Sequence, residues 1–213
     1  MNRLIRDCSG GALLEFTLVF PVTILVTLGT VDAAYMLYEW GLANKAAYRG
    51  ARTAIVRNSI TPDATNLTYD PTAIGDLCFN TADGLPASPP KCPPAFTYSC
   101  SVPTNAGTCP NFDNTAFNVI LTEMQAVFPR LQAGHVVIRY ETSGLGFAGR
   151  PGGLPMSVTV SFKCLTHEFF FLSGLMGWAF TAPASPCPAG AAGPPIPAFA
   201  TTLPSEDVTN AGT

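Results

Sequence analysis

The sequence predicts an α+β protein, in which a long N-terminal helix joins a small domain with an antiparallel sheet packed on a helix. Three observations carry that expectation. From Phe16 to Val31 the chain has no charged residue. Between Phe117 and Leu131 apolar residues recur at spacings of three and four, and two later segments alternate apolar with polar residues. The first pattern is that of a membrane-spanning helix, the second of an amphipathic helix, and the third of strands with one dry face.

The long helix is expected over 11–56. Its apolar part, about 21 residues at a 1.5 Å rise, reaches roughly 30 Å, one hydrocarbon core, and the transmembrane portion is placed at about 12–38. Pro21 removes one backbone hydrogen bond, which spanning helices tolerate when a neighbour packs close. Beyond Asp32 the helical pattern continues in a different composition: Ala43, Ala46, Ala47, Gly50, Ala51 and Ala54 form a small-residue face along which another helix can approach closely. Lys45, Arg49 and Arg52 line the adjacent face.

Only 12% of residues are charged and the net charge is −3, which gives no electrostatic footing for nucleic acid. The 19 glycines and 20 prolines imply much irregular chain around a small core. Of seven cysteines, Cys8 alone precedes the helix. Cys78, Cys92, Cys100, Cys109, Cys164 and Cys187 follow it and form an even set suited to an oxidising compartment. Six cysteines allow 15 pairings; local bridging, with Cys100–Cys109 and Cys164–Cys187, is the favoured guess. Arg3 and Arg6 place the N-terminus in the cytoplasm, whereas Lys45, Arg49 and Arg52 argue the opposite. The cysteines break the tie in favour of an exported C-terminal domain.

That domain is expected over 57–182, with an irregular Pro- and Cys-rich loop at 83–110. Asp113 or Asn114 caps a helix over 115–131 whose stripe is Phe117, Ile120, Leu121, Met124, Val127, Phe128 and Leu131. Strands follow at 135–141 and 156–164, joined by a Gly-rich connection and hence paired as an antiparallel hairpin. The connection leads to no helix N-terminus, so it lacks the geometry of a phosphate cradle. Residues 169–180 carry no charge but are too short to span a membrane. They either complete the core as a short helix or present an apolar patch to a partner subunit or the outer leaflet. From 183 to 213 the Pro/Ala/Gly-rich tail is expected to be largely irregular.

No catalytic constellation is visible. His135 and His167 have no carboxylate or cysteine at a dependable ligand spacing, no Cys-x2-Cys knuckle occurs, and no Gly-x-Ser-x-Gly elbow is present. The expectation is a protein that is not an enzyme and uses no metal or cofactor.

The N-terminal junction is the most specific feature. A short leader of ten residues ends at Gly10, Glu15 lies five positions further on, and the apolar run comes after that point rather than before it. This is the arrangement of a type IV prepilin leader. A secretory signal would need a small-residue cut beyond the apolar run, where Asp32-Ala33-Ala34-Tyr35 is a poor site. The first 57 residues closely resemble the TadE-like family of the tight-adherence (Tad) pilus system, whose members are minor pilins or pseudopilins. The resemblance rests on Gly10, Glu15-Phe16, Leu18-Val19-Phe20-Pro21, Leu28-Gly29, Val31-Asp32, Ala46-Ala47 and the Arg49-to-Ala54 unit.

The resemblance implies cleavage between Gly10 and Gly11 by a prepilin peptidase. It implies an assembly role for Glu15, Phe16 and Pro21, with Glu15 pairing with a neighbour's new amino terminus in low dielectric. It also implies the inner membrane, other Tad minor pilins, the major pilin and the Tad inner-membrane platform as partners, and placement of the domain in the periplasm or on the extracellular pilus. The alternative reading is a membrane-tethered periplasmic binding or adhesion module with an uncleaved signal anchor.

Overall fold

The computed structural model describes residues 11–65, 71–79, 91–103, 108–142, 144–149, 154–172, 196 and 199–205. The leader through Gly10, Cys187 and most of the 169–180 segment therefore lie outside the described residues. Helix α1 runs Gly11–Val56, continues through Pro21, and has the bounds expected from its pattern. The chain divides into two compact units, one comprising 1–39 and 166–196, the other 40–165 and 197–213.

In the second unit, four strands form one antiparallel sheet in the order β1 (Thr97–Ser101), β2 (Val136–Thr142), β3 (Met156–Phe162) and β4 (Ala200–Ser205). The hairpin anticipated at 135–141 and 156–164 is present as β2 and β3, with Ile138 opposite Val160 and Tyr140 opposite Val158. Val136, Ile138, Tyr140, Met156, Val158 and Val160 are buried, while Arg139 and Glu141 are exposed, as the period of two requires. His135 closes a one-turn 3-10 helix before β2 rather than opening the strand.

Strands β1 and β4 lie in segments whose composition suggested irregular chain. β1 falls within the Pro- and Cys-rich loop and pairs with β2, Cys100 opposite Ile138. β4 falls in the C-terminal tail and pairs with β3, Leu203 opposite Val158. Both are edge strands, which is why Pro204 is tolerated opposite Ser157. Thr159 and Thr202 hydroxyls meet at 2.8 Å across the β3–β4 pair.

Helix α2 (Asn114–Gln125) starts where Asp113 accepts hydrogen bonds from the Thr115 and Ala116 amides. It is shorter than the predicted 115–131 because Phe128 precedes Pro129, and a residue before proline is pushed out of the helical region. Its stripe is nevertheless buried: Phe117, Ile120, Leu121 and Met124 on the helix, then Phe128 and Leu131 on the turn beyond. The sheet and α2 thus give the α+β arrangement that the periodicities imply.

The small-residue face of α1 faces this same core. Ala43, Ala46, Ala47, Ala51 and Ala54 are fully buried, and a Cβ on Gly50 would stand 2.5 Å from Met124 Sδ. The helix that the small residues admit is this chain's own α2. Arg49 on the neighbouring face donates to Glu123 of α2 through Nε (2.9 Å) and Nη2 (2.6 Å). Both partners are half exposed, so the pair contributes about 0–1 kcal/mol and serves mainly to fix register.

Disulfides join Cys78 to Cys92 and Cys100 to Cys109, the latter the local bridge favoured from sequence. Cys164 is also disulfide-bonded; Cys187, its expected mate, lies outside the described residues. Tyr140 reaches from the sheet to accept a bond from the Ile60 amide, at 3.4 Å. Burial pushes its phenol up to about 12, against the lowering effect of its contacts with Ile60 and Ser59.

Two outcomes follow from this packing. Gly50→Ala gains up to about 1 kcal/mol of helix propensity but meets an overpacking cost of about 1–3 kcal/mol. Its melting temperature should fall, and the Gly50→Ala/Met124→Ala pair should be less destabilised than the two single variants together. Additive effects in thermal unfolding would show that Met124 does not fill the space above Gly50. The fold stabilises the neutral Tyr140 phenol. That stabilisation is complete below its ordinary value of 10.0 and is lost as pH rises towards about 12. A spectrophotometric titration of phenolate should contain a component near pH 12 that Tyr140→Phe lacks.

Candidate functional site

The first unit is built on the N-terminal part of α1. Leu13, Leu14, Phe16, Leu18, Val19, Phe20, Val22, Ile24, Leu25 and Val26 are all exposed, a continuous apolar surface far beyond the scattered hydrophobics of a soluble protein. By length and composition, α1 is the one helix among the described residues able to cross a membrane. Its threonine hydroxyls are satisfied internally. Thr17 donates to Leu14 O (2.9 Å), Thr23 to Val19 O (3.0 Å), Thr27 to Ile24 O (2.9 Å) and Thr30 to Thr27 O (2.7 Å). A helix whose surroundings offer no hydrogen-bonding partner needs this arrangement. Glu15, Phe16 and Pro21, the residues singled out from sequence, are exposed on this surface.

Beyond Glu15 the next two acids on the helix are Asp32 and Glu39, and both are buried. Asp32 is fully buried, and its carboxylate accepts three backbone amides: Phe170 N at 3.2 Å, Phe171 N at 3.0 Å and Leu172 N at 2.9 Å. Glu39 lies seven residues further on, hence on the same face. It is also buried, with Oε2 2.6 Å from Nδ1 of the fully buried His167. The other ring nitrogen, Nε2, has no hydrogen-bond partner among the described residues. The segment 167–172 is thereby strapped along α1. His167 and Phe170 pack against the Tyr35 ring at 5.7 and 5.2 Å between centroids. Leu172 closes over Gly29, where an added Cβ would meet Leu172 Cδ1 at 3.6 Å.

Phe171 and Leu172 also complete an apolar groove of about 440 Å³ with Phe20, Pro21, Ile24, Leu25 and Leu28. Pro21 is thus one wall of a groove filled in part from the chain's own later segment.

Sequence reasoning singles out Glu15, Phe16 and Pro21 and does not bring Asp32, Glu39 and His167 together as a set. A usable signal was present: two acids seven apart at the end of an apolar helix, followed much later by a histidine beside three phenylalanines. His135 stands apart from this cluster, in the second unit. Burial, aided by the Arg130 charge, pushes its imidazole below the ordinary value, and the neutral ring accepts the Gln132 amide at 3.3 Å. No group of three or more His, Cys, Asp or Glu side chains able to hold a metal occurs among the described residues.

Residues 10–52 match the sequence model of the family described as TadE-like protein, the family that the junction and the distal Gly-Ala-Arg unit resemble. The match covers the leader boundary and all but the last turn of α1, and residues 53–213 lie outside it. It associates the chain with a Tad pilus. No curated protein and no solved structure gives a significant match.

The strap depends on Asp32. Asp32→Ala takes the shared acceptor from three part-buried amides, at up to about 1–3 kcal/mol for each. Hydrogen exchange at Phe170, Phe171 and Leu172 should therefore accelerate by at least about tenfold, with a smaller effect for Asp32→Asn, which keeps one carbonyl oxygen. Unchanged exchange in the alanine variant would show that the strap is held elsewhere.

Proposed function

We propose that this chain is a minor pilin or pseudopilin that docks through its N-terminal helix to initiate or scaffold a Tad-type pilus. The observation that carries the reading is the TadE-like match over residues 10–52, which falls on the helix whose apolar side chains are exposed. An exposed apolar surface of this length must meet lipid or other helices, and a subunit moving from membrane to filament meets each in turn. The domain built on α2 and the four strands rides on that helix as an exported head. Its disulfides suit the periplasm or the cell exterior.

In this reading a prepilin peptidase cuts between Gly10 and Gly11, making Glu15 the fifth residue of the mature chain. The exposed Glu15 carboxylate is then free to pair with the new amino terminus of a neighbouring subunit, in a medium where the attraction is far stronger than in water. Lys45 and Arg52, which by charge alone favour a cytoplasmic flank, are exposed on the helix that carries the head, and Arg49 is engaged with Glu123. They belong to a folded domain rather than to a short loop, and the positive-inside rule is weak for such charges. The direct partners are the inner membrane, the peptidase, other minor pilins, the major pilin and the platform.

Intact-mass measurement of the protein from its native host should find a chain beginning at Gly11. Glu15→Ala should leave cleavage intact but reduce entry into pili about tenfold or more, the effect of losing about 1.4 kcal/mol of recruitment. A chain retaining Met1 to Gly10, with normal piliation in the deletion strain, would instead support a tethered binding or adhesion module.

A further inference from the structure

We propose that the strap formed by Phe169, Phe170, Phe171 and Leu172 is itself a membrane contact, inserted into the outer leaflet alongside α1. The inference rests on the reading of α1 as a spanning helix and extends it to a part of the chain about 130 residues away in sequence.

Three observations place the strap in lipid. The first is depth. From Gly11 to Asp32 the helix rises roughly 30 Å, one hydrocarbon core. The strap does not leave the helix at Asp32. Phe171 and Leu172 lie against Ile24, Leu25 and Leu28, roughly 6–12 Å back along the axis towards the membrane interior. The second is exposure. Phe170 and Phe171 are 66% and 53% exposed, and Phe170 meets the Tyr35 ring at 5.2 Å between centroids, just past the apolar run where aromatic residues mark a bilayer interface. Two adjacent phenylalanines fixed in that position suit a lipid surface and are poorly suited to water. The charged Glu168 bounds the run.

The third observation is the hydrogen bonding. Irregular backbone is tolerated at membrane depth only when its amides are satisfied by protein, since lipid offers no acceptor. The amides of residues 170, 171 and 172 all point to the Asp32 carboxylate. In water such a triple acceptor is dispensable, because solvent would serve each amide equally well. In the outer leaflet it is required. The same logic gives Asp32 a reason to exist on an apolar helix, where an unpaired carboxylate is costly.

The occupant of this surface is therefore the acyl region of a phospholipid bilayer, and the test distinguishes lipid from protein. Full-length protein carrying a benzophenone amino acid at position 20, 119, 170 or 171 is reconstituted in phosphatidylethanolamine/phosphatidylglycerol vesicles and irradiated. Position 20 reports the spanning helix, and Val119, exposed on α2, reports the head. The expected result is phospholipid adducts at 170 and 171 at a yield within about threefold of that at position 20, with none at 119. Asp32→Ala should lower the yield at 171 but not at 20. Lipid adducts at 20 together with only protein adducts, or none, at 170 and 171 would overturn the proposal while leaving the spanning helix intact. Absence of lipid adducts at position 20 would overturn the spanning reading, and this inference with it.

Discussion

A carboxylate on an apolar helix and a run of backbone amides outside any ladder are each unfavourable alone, and in this protein each resolves the other. Asp32 has no water to solvate it, and the amides of residues 170–172 have no strand or helix partner among the described residues. Brought together, three donors saturate one ionised acceptor, the strongest form of hydrogen bonding open to neutral amides. Two turns along, Glu39 and His167 repeat the solution with side chains. The return of the chain to its own first helix is thus specified by polar groups, although the surfaces it brings together are apolar. Phe171 and Leu172 add contact area in the groove beside Pro21, but apolar contact is non-directional and would tolerate a shifted strap. The carboxylates set the register.

Helix α1 is uninterrupted, yet its two parts use opposite side-chain sizes to do different things. The N-terminal part carries Leu, Val, Phe and Ile that remain exposed, and such residues give a wide surface to lipid or to a neighbouring helix. The later part carries Ala and Gly that are fully buried, because a close approach by α2 leaves no room for more, as the Gly50–Met124 spacing shows. A small-residue stripe on a helix near a membrane invites reading as a docking face for another subunit. Here the stripe is consumed within the chain, and the surface left exposed is the bulky one. The bend-prone Pro21 belongs to that bulky surface, where a neighbour can compensate for its missing hydrogen bond.

What could be read from sequence follows the range of the forces involved. The bounds of α1, the stripe of α2 and the β2–β3 hairpin are written in local sequence pattern, so the order of residues locates them without any long-range contact. β1 and β4 are defined by what they pair with: Thr97–Ser101 and Ala200–Ser205 are strands because β2 and β3 offer open edges. Pro, Gly and Cys nearby disguise them, since turn residues and strand residues are interleaved over a few positions. The end of α2 lies earlier than its apolar spacing suggests, for a related reason. The apolar spacing continues through Phe128 and Leu131, which stay buried on a turn after Pro129 has ended the helix. A motif draws attention to Glu15, Phe16 and Pro21. No motif draws Asp32, Glu39 and His167 together, because their meaning lies in contacts across more than 120 residues.

Those contacts also constrain how the chain can be processed. A cut just past the apolar run, as for a removable secretory signal, would fall near Asp32-Ala33-Ala34. It would strip Phe20 to Leu28 from the groove and take Asp32 from the three amides. Each amide left without a partner in an apolar setting costs free energy that nothing else among the described contacts restores. A cut before Gly11 removes none of these contacts, because every described partner of the strap lies at residue 20 or beyond. The described contacts of the strap therefore need α1 from Phe20 onward to stay joined to the chain.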